Sequence, residues 1–88
     1  MTKKLTQKVL KYTVIFEPAE EGGYVVSVPA LPGCISEGDD FEEAVEMIKD
    51  AMKGYLAVLK KEGLEIPKEE DEVVVTKVSI PEPVISSL

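Results

Sequence analysis

A chain of 88 residues, 44 % hydrophobic and 31 % charged, has the means to build one core, and none of its apolar runs approaches the ~18 residues of a membrane span. It lacks histidine, arginine, tryptophan and asparagine, which removes Ser-His-Asp and Cys-His nucleophilic catalysis, the commonest metal ligand and the bidentate fork that reads guanine edges. A net charge of −7 repels nucleic acid and favours a basic partner.

Residues 1–10, MTKKLTQKVL, carry three lysines and no turn signal, and are expected to be a flexible arm ahead of a single domain over residues 11–80. They lack the apolar centre of a signal peptide, so the cytoplasm is the expected compartment. The single cysteine, Cys34, agrees, because a secreted domain of this size would carry several disulfides. Gln7 is the only side-chain amide, a composition that fits a thermophilic source.

Period-two alternation starts at Tyr12: Tyr12, Val14 and Phe16 share one face of a strand, with Thr13, Ile15 and Glu17 on the other. The stretch from Pro18 to Gly23 then supplies a proline that blocks ladder bonding and two glycines free to take positive φ, which predicts a hairpin. Tyr24, Val26 and Val28 repeat the alternation in a second strand. Pro29-Ala-Leu-Pro-Gly33 cannot continue a central strand and forms a corner. Two readings of Leu31 stand at this point: an apolar anchor presented to a partner by a stiff loop, or a side chain tucked into the core. A third short strand covers Cys34 to Glu37 and ends at Gly38. Cys34 is expected to serve as a small strand residue.

Asp40 with Glu43 three residues on reads as the N-cap and return partner of a capping box. Glu42 and Glu46 follow at the helix's positive end, where each carboxylate contributes ~0.3–1 kcal/mol. Phe41, Ala44, Val45, Ile48, Ala51, Met52, Tyr55, Leu56 and Leu59 recur at spacings of three and four and form one stripe of a long helix. Burying each large member gives at most ~1.5–3 kcal/mol, well above the ~1 kcal/mol that Gly54 costs inside a helix. Gly54 is expected to let the helix approach a strand or a second subunit closely, and Met47 and Val58, off the stripe, are available to an interface. Lys60, Lys61 and Gly63 close the helix.

The run KEEDE at residues 68–72 reads as a solvated loop rather than a metal site. Val73 to Val78 is near-continuously apolar and predicts a fourth strand, buried on both faces or covered by another chain. Residues 81–88 form an apolar, proline-punctuated tail. Val73, Val75, Ile80, Val84 and Ile85 are the candidate contacts of a homo-dimer or homo-tetramer. The order is β-β-β-α-β, an α+β sheet with one helix on one face.

The run YTVIFEPAEEGGYVVSVPALPGCISEGDDFEEAVEMIKDAM, Tyr12 to Met52, resembles the HicB antitoxin family. Its distinctive parts are the hairpin EEGGYVVSVPALPGC, the approach SEGDD and the helix start FEEAV. The resemblance implies a partial ribonuclease-H-like fold, homo-oligomeric assembly and binding of a small basic toxin, HicA, that cleaves mRNA. It implies no catalytic residues, no cofactor and no metal: Glu17, Glu20, Glu37 and Asp39 are an unsuitable two-metal set, because Glu20 lies in a turn and Asp39 beside a cap. Longer members carry a C-terminal module that binds the operator, whereas here SIPEPVISSL follows the last expected strand, so direct DNA binding is not expected. Leu31, Glu20, Glu37 and Asp39 are the candidate toxin contacts. The alternative reading is a solitary homo-oligomeric binding module without a toxin.

Overall fold

The computed structural model describes residues 9–69 and 74–85. Strands β1 (Ile15–Pro18), β2 (Tyr24–Ser27) and β3 (Ile35–Gly38) form an antiparallel sheet in that order, followed by helix α1 (Phe41–Lys61). Phe16 pairs with Val26 and Val26 with Ser36, so these three share the face that α1 covers. The opposite face carries Ile15, Ser27 and Ile35 in one row and Glu17, Val25 and Glu37 in the next. Nothing among the described residues covers that face, and Ile35 is 60 % exposed.

The hairpin between β1 and β2 closes with Ala19 N–H donating to the Gly23 carbonyl, and Gly22 and Gly23 take φ of 101° and 75°. β1 starts at Ile15, three residues later than the alternation suggests. Extending the observed register places Thr13 opposite Pro29, which has no N–H to give. The Thr13 N–H donates instead to the Glu69 carboxylate at 2.7 Å, and its hydroxyl donates to the other oxygen at 2.9 Å. Beside it the Tyr12 hydroxyl donates to the Pro67 carbonyl. Burial, and secondarily the Glu69 charge, push the Tyr12 hydroxyl above its usual range. The segment after α1 therefore returns to the start of β1.

The corner from Pro29 to Gly33 is wound around Leu31. Its N–H donates to the Val28 carbonyl, its carbonyl accepts from Cys34, and Val28 and Cys34 close the loop beyond it. The Leu31 side chain is fully buried with Val26, Val28, Cys34, Ala44 and Ile48. Two prolines stiffen a loop whose apolar residue points inward. The Tyr55 hydroxyl donates to the Pro32 carbonyl at 2.9 Å and ties α1 to the same corner.

Helix α1 has the expected bounds. The Asp40 carboxylate accepts from the Glu43 N–H at 2.7 Å, the forward bond of the capping box. At the other end Gly63 takes φ of 72°, with Leu64 N–H on the Leu59 carbonyl and Gly63 N–H on that of Lys60, a Schellman pair. Phe41 is half exposed at the rim, where its ring lies tilted 4.7 Å from that of Phe16 and edge-to-face 6.2 Å from that of Tyr24. At Gly38 the helix touches the sheet backbone to backbone: a Cβ there would collide with the Ala44 N–H and stand 2.6 Å from its Cα. Gly54 has no such neighbour, since a Cβ there meets nothing within 4 Å. The close approach of a strand expected at Gly54 occurs at Gly38.

The fourth strand is the main correction. Val74 to Val78 is exposed and takes no part in the sheet, and Val73 lies outside the described residues. A strand exists through its ladder partners, and an apolar run supplies none by itself. Within the described residues the order is β-β-β-α.

Leu31→Ala is expected to destabilise the domain by ~2–5 kcal/mol in urea unfolding, the range for a fully buried leucine. Burial raises the Cys34 thiol above its ordinary range, so little thiolate is present near neutral pH. Alkylation of Cys34 in the folded chain at pH 7 to 8 should be far slower than in urea; equal rates would contradict its burial.

Candidate functional site

The hairpin, the end of β3 and the first turns of α1 enclose an acidic cleft of about 690 Å³. Glu20 and Glu21 come from the hairpin, Glu37 and Asp39 from β3 and the residue just beyond it, and Glu43 from α1. Tyr24, Val25 and Met47 supply apolar wall between the carboxylates. Each carboxylate stands where it does for a local reason. Glu20 and Glu21 occupy a turn with Gly22 and Gly23 at positive φ, Glu37 lies across from Val25 on the uncovered face, and Glu43 belongs to the cap.

Negative charge gathered here is relieved partly by the positive end of α1. It is not relieved by cations of the described residues, whose single ion pair joins Lys49 and Glu46 at 3.8 Å on exposed helix. Among those residues no group of three or more side chains is arranged to hold a metal. The site therefore presents carboxylates to whatever approaches.

Three of the four candidate contacts come together in this cleft: Glu20, Glu37 and Asp39. Leu31 does not join them. Being fully buried, it has no surface to offer; the exposed apolar side chains that line the cleft are Val25 and Met47, 38 % and 46 % exposed. The sequence offers Met47, off the main stripe, as an interface residue and puts Val25 on the second face of β2; only the register of β2 with β3 brings Val25 beside Glu37. Glu21 was legible as a neighbour of Glu20. Of the candidate self-association residues, Val75, Ile80, Val84 and Ile85 are 66–93 % exposed, and Val73 lies outside the described residues. No helix of the described residues is long and apolar enough to cross a membrane.

Residues 12–84 match the family described as the HicB-like antitoxin of bacterial toxin-antitoxin systems. A UPF0150 protein of Thermoplasma acidophilum is 46 % identical over 65 residues, which cover 74 % of this chain and 94 % of that protein. A UPF0150 protein of Synechocystis is 39 % identical over 74 residues, covering 84 % of this chain and 91 % of its own length. Antitoxin HicB 1 of Photorhabdus laumondii is 51 % identical over 45 residues, about half of this chain but 29 % of that antitoxin. The family match takes in the whole sheet, the helix and the exposed segment beyond it, and the chain belongs to the HicB-like antitoxin family.

Proposed function

We propose that this chain is the antitoxin of a toxin-antitoxin pair and neutralises a small basic HicA-like toxin that cleaves mRNA, by seating the acidic cleft on the toxin's cationic RNA-binding surface. The observation that carries this reading is the cleft itself: five carboxylates on three elements, with apolar Val25 and Met47 among them and no cation of the described residues paired to them. A surface that binds RNA must be cationic, and carboxylates at this density compete for it where phosphates would lie. Family membership supports the assignment, as does the likeness to proteins named antitoxin HicB in Photorhabdus laumondii and Escherichia coli. The family is one of antitoxins, and the chain's role is binding rather than catalysis.

Charge also governs how such a complex forms. A net charge of −7 steers a basic partner toward the chain, and the steering weakens as salt screens it. Without arginine, and with this sign of charge, the chain is a poor reader of DNA by itself. A second reading, a homo-oligomeric binding module with no toxin, is favoured by the exposed apolar residues between 74 and 85. The neighbouring reading frame separates the two: a short lysine-rich protein with a single catalytic histidine favours the antitoxin.

Co-expression and pull-down with that neighbour is the direct test, followed by calorimetry on the purified pair. The double change Glu37→Lys with Asp39→Lys, at exposed positions, should leave the fold intact and weaken binding by ~2 kcal/mol or more, with an affinity that falls as salt rises. Unchanged affinity in the folded variant would remove the cleft from the interface.

A further inference from the structure

Residues 74–85 are the least covered apolar stretch of the chain. Val74, Val78, Ile80, Val84 and Ile85 are 79–93 % exposed, while Lys77 and Glu82 are the only charged residues among them. In an extended strand Val74, Thr76, Val78 and Ile80 fall on one side, and Val75, Lys77 and Ser79 on the other. That is the pattern of a strand with one face to bury.

Among the described residues, 74–85 pair with no strand of the chain's own sheet. The Glu69 carboxylate is bonded to the N–H of Thr13, so the returning segment reaches the sheet two residues ahead of β1.

A receiving site exists at the far edge of the sheet. β3 is an outer strand, and a groove of about 490 Å³ runs between Cys34 and Ile35 on one side and Ala51, Gly54 and Val58 of α1 on the other. No charged side chain lines it. Gly54 leaves its floor open, since an added Cβ there meets nothing within 4 Å. The groove on the other flank of α1 is ringed by Lys11, Lys49 and Lys53, which suits Lys77 poorly. The β1 edge, where Glu69 emerges, and the β3 edge lie on opposite sides of the sheet, so the strand and the groove meet most directly between two copies.

We propose that residues 75–85 of one copy add as a strand to the free β3 edge of a second copy, with Val78 and Ile80 seated in the groove over Gly54. Because every copy carries both parts, the exchange is reciprocal and closes as a two-fold dimer. The added strand supplies ladder bonds to an edge that is otherwise open and takes apolar surface out of water in one step. This assembly is independent of the toxin reading, since the acidic cleft lies at the hairpin end of the sheet and shares neither β3's outer groove nor the tail.

Sedimentation equilibrium of the full-length chain at micromolar concentration tests it, with two variants. Val78→Asp with Ile80→Asp spoils the strand. Gly54→Glu fills the groove while replacing a helix glycine by a better helix former, so its fold is retained and far-UV circular dichroism verifies it. The unaltered chain should be a dimer or a multiple of one, and each variant alone should dimerise at least ~10-fold more weakly. Mixed, the two should form a heterodimer, because the intact strand of the Gly54→Glu chain meets the intact groove of the other. A monomeric unaltered chain, a Gly54→Glu variant that dimerises as tightly as the unaltered chain, or the absence of the heterodimer would each overturn the proposal.

Discussion

Three backbones meet without side chains between them where the hairpin, β3 and α1 converge. A Cβ at Gly23 would collide with the Gly38 carbonyl oxygen and stand 3.0 Å from the Asp39 Cα, and one at Gly38 would collide with Ala44. The rest of the molecule depends on this contact. It sets the start of α1 directly against the sheet, so that Ala44 and Ile48 descend onto Val26 and the core closes over Leu31 and Cys34. Glycine at both positions is demanded by space, and at Gly23 also by a φ of 75°.

The same contact assembles the acidic cleft. Glu20 and Glu21 flank one side of it, Glu37 and Asp39 another, and Glu43 caps the helix that rests on it. Carboxylates that serve turn, strand and cap separately are thereby brought into one concavity. The cap bond and the helix's positive end favour Asp40 and Glu43 where they stand, and all of these carboxylates are exposed to solvent. The electrostatic surface offered to a basic partner is thus a product of the packing that makes the fold compact at this end.

One helix covers one face of a three-stranded sheet, and the remaining surface follows from that. Ile15, Val25 and Ile35 line an uncovered face, β1 and β3 are both outer strands, and the apolar residues beyond α1 find no place in the chain's own core. A domain this small has little interior to spare. Its buried set of six side chains is complete without residues 74–85, whose apolar surface stays outside the folded core.

Local signals in the sequence determined the hairpin, the corner, the bounds of α1 and both of its caps, because each depends on residues within a few positions of one another: Gly22 and Gly23 in the turn, Asp40 against Glu43, Gly63 against Lys60. The acidic members of the site were legible for the same reason, as residues that turns and caps bring to the surface. Only the tertiary structure decided what each apolar stretch would find to pack against. Leu31 carries the same sequence signature whether it points out or in, and the bonds that wind its loop toward Val28 and Cys34 turned it inward. Tyr12 to Val14 alternates as a strand does, yet Pro29 lies opposite and Glu69 takes the Thr13 N–H. Val74 to Val78 has a strand's composition and no ladder among the described residues. Alternation and hydrophobicity describe a residue's own preference, whereas pairing and burial belong to two segments at once, and the second segment is named by the fold alone.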